Sequence, residues 1–136
     1  MMIMTIFFHI HSAEIDMVDY TGRSALFFGC KNGNLQMINT LINHGADIEL
    51  RERKNRLTPL LYTIRFRKYS NCDKAASLSS IIKLLLDAGA DVNAEDSEGL
   101  SALHLLINLI RYDSDWIGKF ANDEFIFEQI NFLITN

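Results

Sequence analysis

Ser101 and His104 are close enough in the chain to bring a hydroxyl and an imidazole together on one turn of a helix. Such a pair could act as nucleophile and general base if a third group oriented the imidazole. Acidic pairs near 113–115 and 123–124 could supply a general acid and base. The chain has no G-x-S-x-G, no H-E-x-x-H and no glycine-rich phosphate loop. We therefore interpret the acidic pairs as solvated loop charges, and we predict a non-catalytic protein that uses no cofactor.

Histidine and cysteine, the side chains that transition metals favour, are scattered along the chain. None of the histidines forms a recognisable ligand pattern with a cysteine. The residues concerned are His9, His11, His44, His104, Cys30 and Cys72. The sequence therefore predicts no metal site.

The two cysteines stand in unrelated contexts and predict no disulfide framework. We expect Cys30 to be a free buried thiol and Cys72 a free surface thiol, which suits a reducing, cytoplasmic location. The apolar run 1–10 has no basic flank and no small-residue cleavage site, and it is too short to span a bilayer. We interpret it as the last helix of a partial repeat, and we expect no membrane association.

The most informative feature of the chain is an internal repeat. Gly45-Ala46-Asp47-Ile48-Glu49 returns as Gly89-Ala90-Asp91-Val92-Asn93, and a degenerate copy lies at 12–16. Each copy leads into a second shared element, at 19–26, 53–60 and 96–103. Recurrence at about 33 residues is typical of stacked structural repeats, whose units cannot bury their apolar faces alone.

Local signals place helices within each unit. Ser24, Thr58 and Ser101 each precede an apolar run, as helix N-caps do. Pro59 follows at the first helical position, where its missing N–H is harmless. Apolar residues at helical spacing then continue in the segments 35–42 and 81–88, and Gly45 and Gly89 follow as C-terminal stop signals. The pattern predicts an all-α chain.

These motifs resemble those of the ankyrin repeat, whose pattern runs D-x-x-G-x-T-P-L-H, a helix, and then G-x-x-x-x-V-x-x-L-L-x-x-G-A-D-V-N. The resemblance implies an ankyrin-type helical solenoid of about three repeats plus an N-terminal half repeat, with turn or hairpin loops between repeats. It also implies that His104, which occupies the histidine position of T-P-L-H, forms a structural hydrogen-bonding bridge to the neighbouring turn. The single domain 1–136 divides into a partial repeat at 1–18 and repeats at 19–51, 52–93 (insertion near 65–80) and 94–136 (insertion near 108–125).

The same resemblance implies a concave partner-binding surface formed by turn tips and inner helices. In the second unit Arg53 and Arg56 replace the family's Asp and Gly, and one extra residue precedes Thr58. Such a departure fits either a position adapted to a ligand or drift in a tolerant loop. The predicted surface comprises Tyr20, Thr21, Arg23, Lys31, Asn32, Arg53, Lys54, Asn55, Arg56, Leu57, Arg65, Phe66, Ser97, Glu98 and Leu100.

Charge is distributed unevenly along the chain. The formal net charge is −4, yet more than half of the 13 basic residues lie between Arg51 and Lys68, and the C-terminal third is acidic. Our first hypothesis is a protein partner with an acidic segment, because the arginine fork pairs well with carboxylates. A solvated basic face without a partner is the simpler alternative. Nucleic-acid binding is less favoured because the overall charge is acidic, and no feature indicates a small-molecule substrate.

Trp116 lies in the second insertion, where it could anchor a partner or fold back to cap the stack. Apolar residues near the C-terminus suggest that the stack continues or pairs with another copy of the chain. Irregular repeats with insertions resemble ankyrin proteins of large DNA viruses and intracellular bacteria. This resemblance adds a further hypothesis, a substrate-recruiting adaptor within a larger enzyme complex or a pathogen effector that acts on host proteins.

Overall fold

The computed structural model describes residues 14–66, 75–112 and 133–134. Its helices are α1 (Ala25–Asn32), α2 (Leu35–Asn43), α3 (Pro59–Arg65), α4 (Ala75–Asp87) and α5 (Ala102–Tyr112). Apart from an isolated bridge between Glu95 and Ser101, these ranges contain no β-structure. The all-α prediction is confirmed.

The helices form two layers. The inner layer contains α1, α3 and α5, with α3 packed against both of the others, and the outer layer contains α2 and α4. Each outer helix packs against the inner helix of its own repeat, and α2 packs against α4. The core therefore lies between the layers and runs across the repeat boundaries, as expected for units that share a core.

Large aliphatic and aromatic side chains fill this core. Its fully buried members include Leu26, Phe27, Ile38, Leu41, Leu60, Leu61, Ile64, Leu78, Ile82, Leu85 and Leu106. Each such residue contributes about 1.5–3 kcal/mol by leaving water. Leu35, which belongs to the predicted apolar face of α2 and is its first residue, is 38% exposed.

The predicted helix caps are confirmed in part. The Thr58 hydroxyl accepts a hydrogen bond from the Leu61 N–H at 3.4 Å, and Pro59 follows it as the first residue of α3. Ser24 is the N-cap residue of α1, as predicted, but its buried hydroxyl makes no cap hydrogen bond. An unpredicted cap starts α2, where the Asn34 side chain accepts from the Met37 N–H at 3.1 Å.

Both predicted insertions begin or end within helices. Helix α4 starts at Ala75, inside the segment 65–80, and α5 continues to Tyr112, inside the segment 108–125. The remainder of each insertion, including Trp116 and Cys72, lies outside the described residues.

Three turns precede the inner helices: turn 1 (19–23), turn 2 (52–57) and turn 3 (96–100). Each is closed by a main-chain hydrogen bond of 3.0 Å between its first N–H and its last carbonyl oxygen. Neighbouring turns are joined as well, because the Arg53 N–H donates to the Thr21 carbonyl at 2.8 Å and the Ser97 N–H donates to that of Asn55 at 2.9 Å. The turns therefore form a continuous edge along the stack.

A carboxylate begins each turn and accepts hydrogen bonds from the main chain inside it. Asp19 accepts from the N–H groups of Thr21 and Arg23, at 2.9 and 3.1 Å. Asp96 accepts from the corresponding groups of Glu98 and Leu100, at 2.8 and 3.0 Å. In both turns the aspartate lies two residues before the first bonded N–H group and four residues before the second.

In turn 2 this role belongs to Glu52, which corrects the prediction that Arg53 replaces the family aspartate. Glu52 is 1% exposed and accepts from the N–H groups of Lys54, Asn55 and Leu57, at 2.9, 2.6 and 3.1 Å. Turn 2 is one residue longer than its neighbours, and the extra methylene of glutamate lets the carboxylate reach across it.

Arg56 does take the glycine's position, as predicted. Its φ of +59° corresponds to +82° at Gly22 and +77° at Gly99. The left-handed conformation costs a non-glycine residue about 1–2 kcal/mol. Turn 2 therefore retains the ordinary closing geometry with one strained residue.

Gly22→Ala and Gly99→Ala should differ in their effect on stability, because only Gly22 is close to the next turn. A Cβ at Gly22 would lie 2.8 Å from Arg53 Cγ and 3.1 Å from Arg53 N, whereas at Gly99 the nearest atom is 4.0 Å away. We expect Gly99→Ala to lower the free energy of unfolding by about 1 kcal/mol through backbone strain and Gly22→Ala by about 1–3 kcal/mol more through crowding. Urea unfolding followed by circular dichroism measures both; equal losses would contradict close stacking of turns 1 and 2.

Glu52→Gln should lower the free energy of unfolding by about 2 kcal/mol, because an amide NH₂ would face a main-chain N–H donor that the carboxylate now satisfies. Glu95→Gln is the matched control, since that side chain is exposed. The same unfolding measurement applies to both variants. If Glu52→Gln unfolds at the same urea concentration as the control, the Glu52 carboxylate does not stabilise turn 2.

Candidate functional site

The turn tips place several predicted site residues side by side on the exposed edge. Tyr20 is 88% exposed, and Arg53, Lys54, Ser97 and Glu98 are exposed as well. Thr21 and Asn55 are half-buried because their carbonyls receive the hydrogen bonds between neighbouring turns. The structure thus brings residues from three repeats into one row.

Two predicted site residues lie elsewhere. Leu57 is 0% exposed and belongs to the hydrophobic core, which corrects its assignment to the partner-binding surface. It follows the left-handed Arg56, and its N–H is bound by Glu52, so the side chain is directed inward. Leu100 holds the same position in turn 3 and is half-buried, packed against the core.

At the C-terminal ends of the inner helices, Lys31 and Asn32 are exposed. Phe66 is half-buried, and its ring packs at 4.6 Å from that of Tyr62. Trp116, predicted as a further contact, lies outside the described part of the chain. The inner-helix part of the surface therefore includes both exposed polar side chains and an aromatic ring that packs against the core.

Arg65 joins two repeats. Its guanidinium lies 3.0 Å from Asp96 Oδ2 and 3.8 Å from Glu98 Oε1, and the Asp96 side chain is fully buried. Removing one partner of a buried pair leaves an uncompensated charge, which is strongly destabilising. The ion pairs of Arg65 thus hold α3 against turn 3.

Other arginines of the basic run are also engaged by the protein itself. The Arg53 side chain donates to the Tyr20 carbonyl at 3.2 Å. The Arg51 side chain donates to the carbonyls of Arg56 and Glu95, at 2.8 and 2.5 Å. In the described part of this run, Lys54 and Arg56 are the cations that are exposed and have no side-chain hydrogen bond.

An aromatic contact that was not predicted supports Arg23. The Arg23 guanidinium carbon lies 5.1 Å from the centroid of the Tyr62 ring, in α3 of the next repeat. Phe27 meets the same ring edge-on at a centroid distance of 5.3 Å. Comparing the turns by sequence could have revealed this feature, since Arg23 occupies the position held by Leu57 and Leu100.

Three ionisable groups are perturbed by these surroundings. Hydrogen bonds from the Thr21 hydroxyl and the Arg23 N–H lower the pKa of Asp19, so this carboxylate stabilises the fold at neutral pH and loses that effect as the pH falls through its folded value. Burial raises the pKa of Tyr62. Burial also raises the pKa of Cys30 to about 12, so the free thiol predicted there stays protonated.

The residues considered for chemistry form local structural contacts where the structure describes them. Ser101 Oγ lies 2.8 Å from His104 Nδ1, and the Ser101 N–H donates to the same nitrogen at 3.3 Å. This contact holds the first turn of α5. Across residues 14–66, 75–112 and 133–134, no group of three or more His, Cys, Asp or Glu side chains could hold a metal ion, and no helix has the length and hydropathy to cross a membrane.

Comparison with known proteins identifies the repeat family. Residues 3–96 match the family model described as ankyrin repeats in three copies. Human Rabankyrin-5 is 32% identical over 121 residues, covering 88% of this chain and 9% of that protein. The Arabidopsis thaliana E3 ubiquitin-protein ligase KEG is 32% identical over 92 residues, covering 68% of this chain and 5% of the ligase.

A viral protein is also similar. The putative ankyrin repeat protein L371 of Acanthamoeba polyphaga mimivirus is 25% identical over 132 residues, covering 76% of this chain and 17% of that protein. The chain thus spans less than a fifth of the length of each of these three relatives. The family match, the two-layer helix stack and the joined turns together show that this chain belongs to the ankyrin-repeat family.

Proposed function

We propose that this chain is a non-catalytic module that binds a partner protein through its turn tips and inner helices. The row of exposed residues on three hydrogen-bonded turns carries the proposal. Because neighbouring turns are joined by main-chain hydrogen bonds, the row is organised before binding, and little conformational entropy is lost on association. The ankyrin-repeat family generally mediates protein–protein interactions, which agrees with this geometry.

Charge supports an acidic segment in the partner. Lys54 and Arg56 are exposed on turn 2, the middle of the three turns, and their side chains are not engaged within the protein. A cationic pair at the centre of the row would raise the association rate with an acidic partner and favour one binding register. The free buried thiol of Cys30 fits a reducing, cytoplasmic setting for this interaction.

The second candidate function is recruitment of a substrate to a larger enzyme assembly. One relative favours it by its name, the E3 ubiquitin-protein ligase KEG. In this reading the chain supplies recognition, and another polypeptide supplies the chemistry. Catalytic subunits that co-purify with the bound partner would distinguish recruitment from simple masking of the partner.

Reversing the two free charges, Lys54→Glu with Arg56→Glu, should weaken partner binding about tenfold at low salt, with a smaller effect at high salt. The test is affinity capture from cell lysate with mass-spectrometric identification, followed by titration of the purified partner. Arg53 is left intact because its side chain holds Tyr20.

Lys83→Glu is the matched control, because Lys83 is exposed on the outer helix α4, away from the turns. Circular dichroism must show that all variants are folded. A partner that is lost by the double variant and retained by Lys83→Glu supports the central turn as the binding site. A partner retained equally by both variants would contradict the electrostatic part of the proposal.

A further inference from the structure

Arg23 differs from its counterparts in the other two turns. Arg23, Leu57 and Leu100 each follow the left-handed residue that closes a turn. Leu57 is part of the core and Leu100 packs against it. A charged side chain thus occupies a position that is apolar in the two following repeats. Leucine would suffice at this position if its role were only to pack against the core.

The Arg23 guanidinium is held in place by an aromatic cluster. It lies 5.1 Å from the centroid of the Tyr62 ring, within the range of a cation–π contact. The Tyr62 ring is itself fixed by Phe27, edge-on at 5.3 Å, and by Phe66 at 4.6 Å. The planar fork of Arg23 is therefore oriented before any ligand arrives, which reduces the entropy lost on binding.

Within the described part of the chain, no oxygen accepts a hydrogen bond from the Arg23 guanidinium. Its Nε is buried and has no acceptor in the structure, whereas the side chains of Arg51, Arg53 and Arg65 each donate to a protein oxygen. The Arg65 guanidinium also pairs with the carboxylates of Asp96 and Glu98. Because Nε is buried, a ligand can be bound only by the two terminal nitrogens of this guanidinium, which are not among the buried unpaired atoms.

The nearby carboxylates do not accept hydrogen bonds from the Arg23 guanidinium. Asp19 and Glu52 influence Tyr62 electrostatically, and Asp19 also interacts with the Arg23 charge. Both carboxylates already accept main-chain N–H groups within their own turns. Their negative charge favours a singly charged ligand over a phosphate dianion, because like charges repel at short distance.

We propose that Arg23, stacked on Tyr62, is the anchor that binds a single aspartate or glutamate side chain of the partner protein. The inference rests on the proposed function and adds to it a residue-level site, one repeat before the free cations of turn 2. A carboxylate can accept charge-assisted hydrogen bonds from the terminal nitrogens of the guanidinium. Lys54 and Arg56 then attract other acidic residues of the partner without holding them in one position.

The decisive variant is Arg23→Leu, because turns 2 and 3 already carry leucine at this position. We expect it to fold with equal or greater stability. The probe is a set of linear peptides selected on the wild-type protein from a random-sequence display library. We expect the selected peptides to contain a common acidic residue and to bind Arg23→Leu about ten- to a hundredfold more weakly, as for loss of a hydrogen-bonded charge.

A double-mutant cycle assigns the contact. Replacing the common acidic residue by its amide in the peptide should weaken binding to the wild-type protein by a similar factor and have little further effect on Arg23→Leu. Arg23→Lys, which keeps the charge without the planar fork, should restore binding only in part. Should Arg23→Leu fail to fold, Arg23→Lys combined with the peptide substitution tests the same contact.

The outcomes separate the two proposals. Selected peptides that bind Arg23→Leu as tightly as the wild type overturn the anchor and leave the binding module intact. Additive losses in the cycle also overturn the anchor, since they show that Arg23 and the acidic residue do not meet. If no peptide is selected on the wild-type protein, both the anchor and the proposed function fail.

Discussion

The carboxylate that begins each turn organises the stack. Asp19, Glu52 and Asp96 each bind main-chain N–H groups that would otherwise lack partners, and in doing so they set the shape of the turn. Only a turn of that shape presents its outer N–H and carbonyl to the next repeat. The continuous edge, the alignment of the inner helices and the row of exposed residues all follow from this local interaction, because an unsatisfied buried amide would be costly.

The same arrangement determines which charges remain available to a partner. In the sequence, the basic run from Arg51 to Lys68 looks like one positive surface. In the structure, Arg51, Arg53 and Arg65 bind oxygen atoms of neighbouring repeats, so these cations hold the stack together. Fewer cations than composition indicates are therefore exposed without a side-chain hydrogen bond in the described part of this run.

Periodic features were predictable from the sequence, and features that depend on neighbours were not. Helix spacing, the Thr58 cap and the positive φ of Gly45 and Gly89 follow from local rules that act within a few residues. Ser24 occupies the predicted N-cap position, but its hydroxyl is buried without a partner, which depends on packing and not on local sequence.

In the site, too, local features were predictable from the sequence and contacts between repeats were not. Tyr20, Lys54 and Glu98 are exposed as predicted, since turn tips project from the stack. The extra residue of turn 2 shifted the sequence alignment by one position, so the role of Glu52 was assigned to Arg53. Leu57 and Leu100 were both placed on the surface, although the last residue of these two turns packs into or against the core. The stacking of Arg23 on Tyr62 joins two repeats and has no signal within either repeat alone.

The match between a longer turn and a longer acid has an evolutionary consequence. Turn 2 has one more residue than turns 1 and 3, and its carboxylate has one more methylene. Shortening the acid alone would leave the main-chain donors out of reach, and removing a residue alone would leave the acid too long for the gap. The two positions are therefore epistatic, and a lineage that lengthens a recognition loop of this kind must change both together or pass through a less stable intermediate.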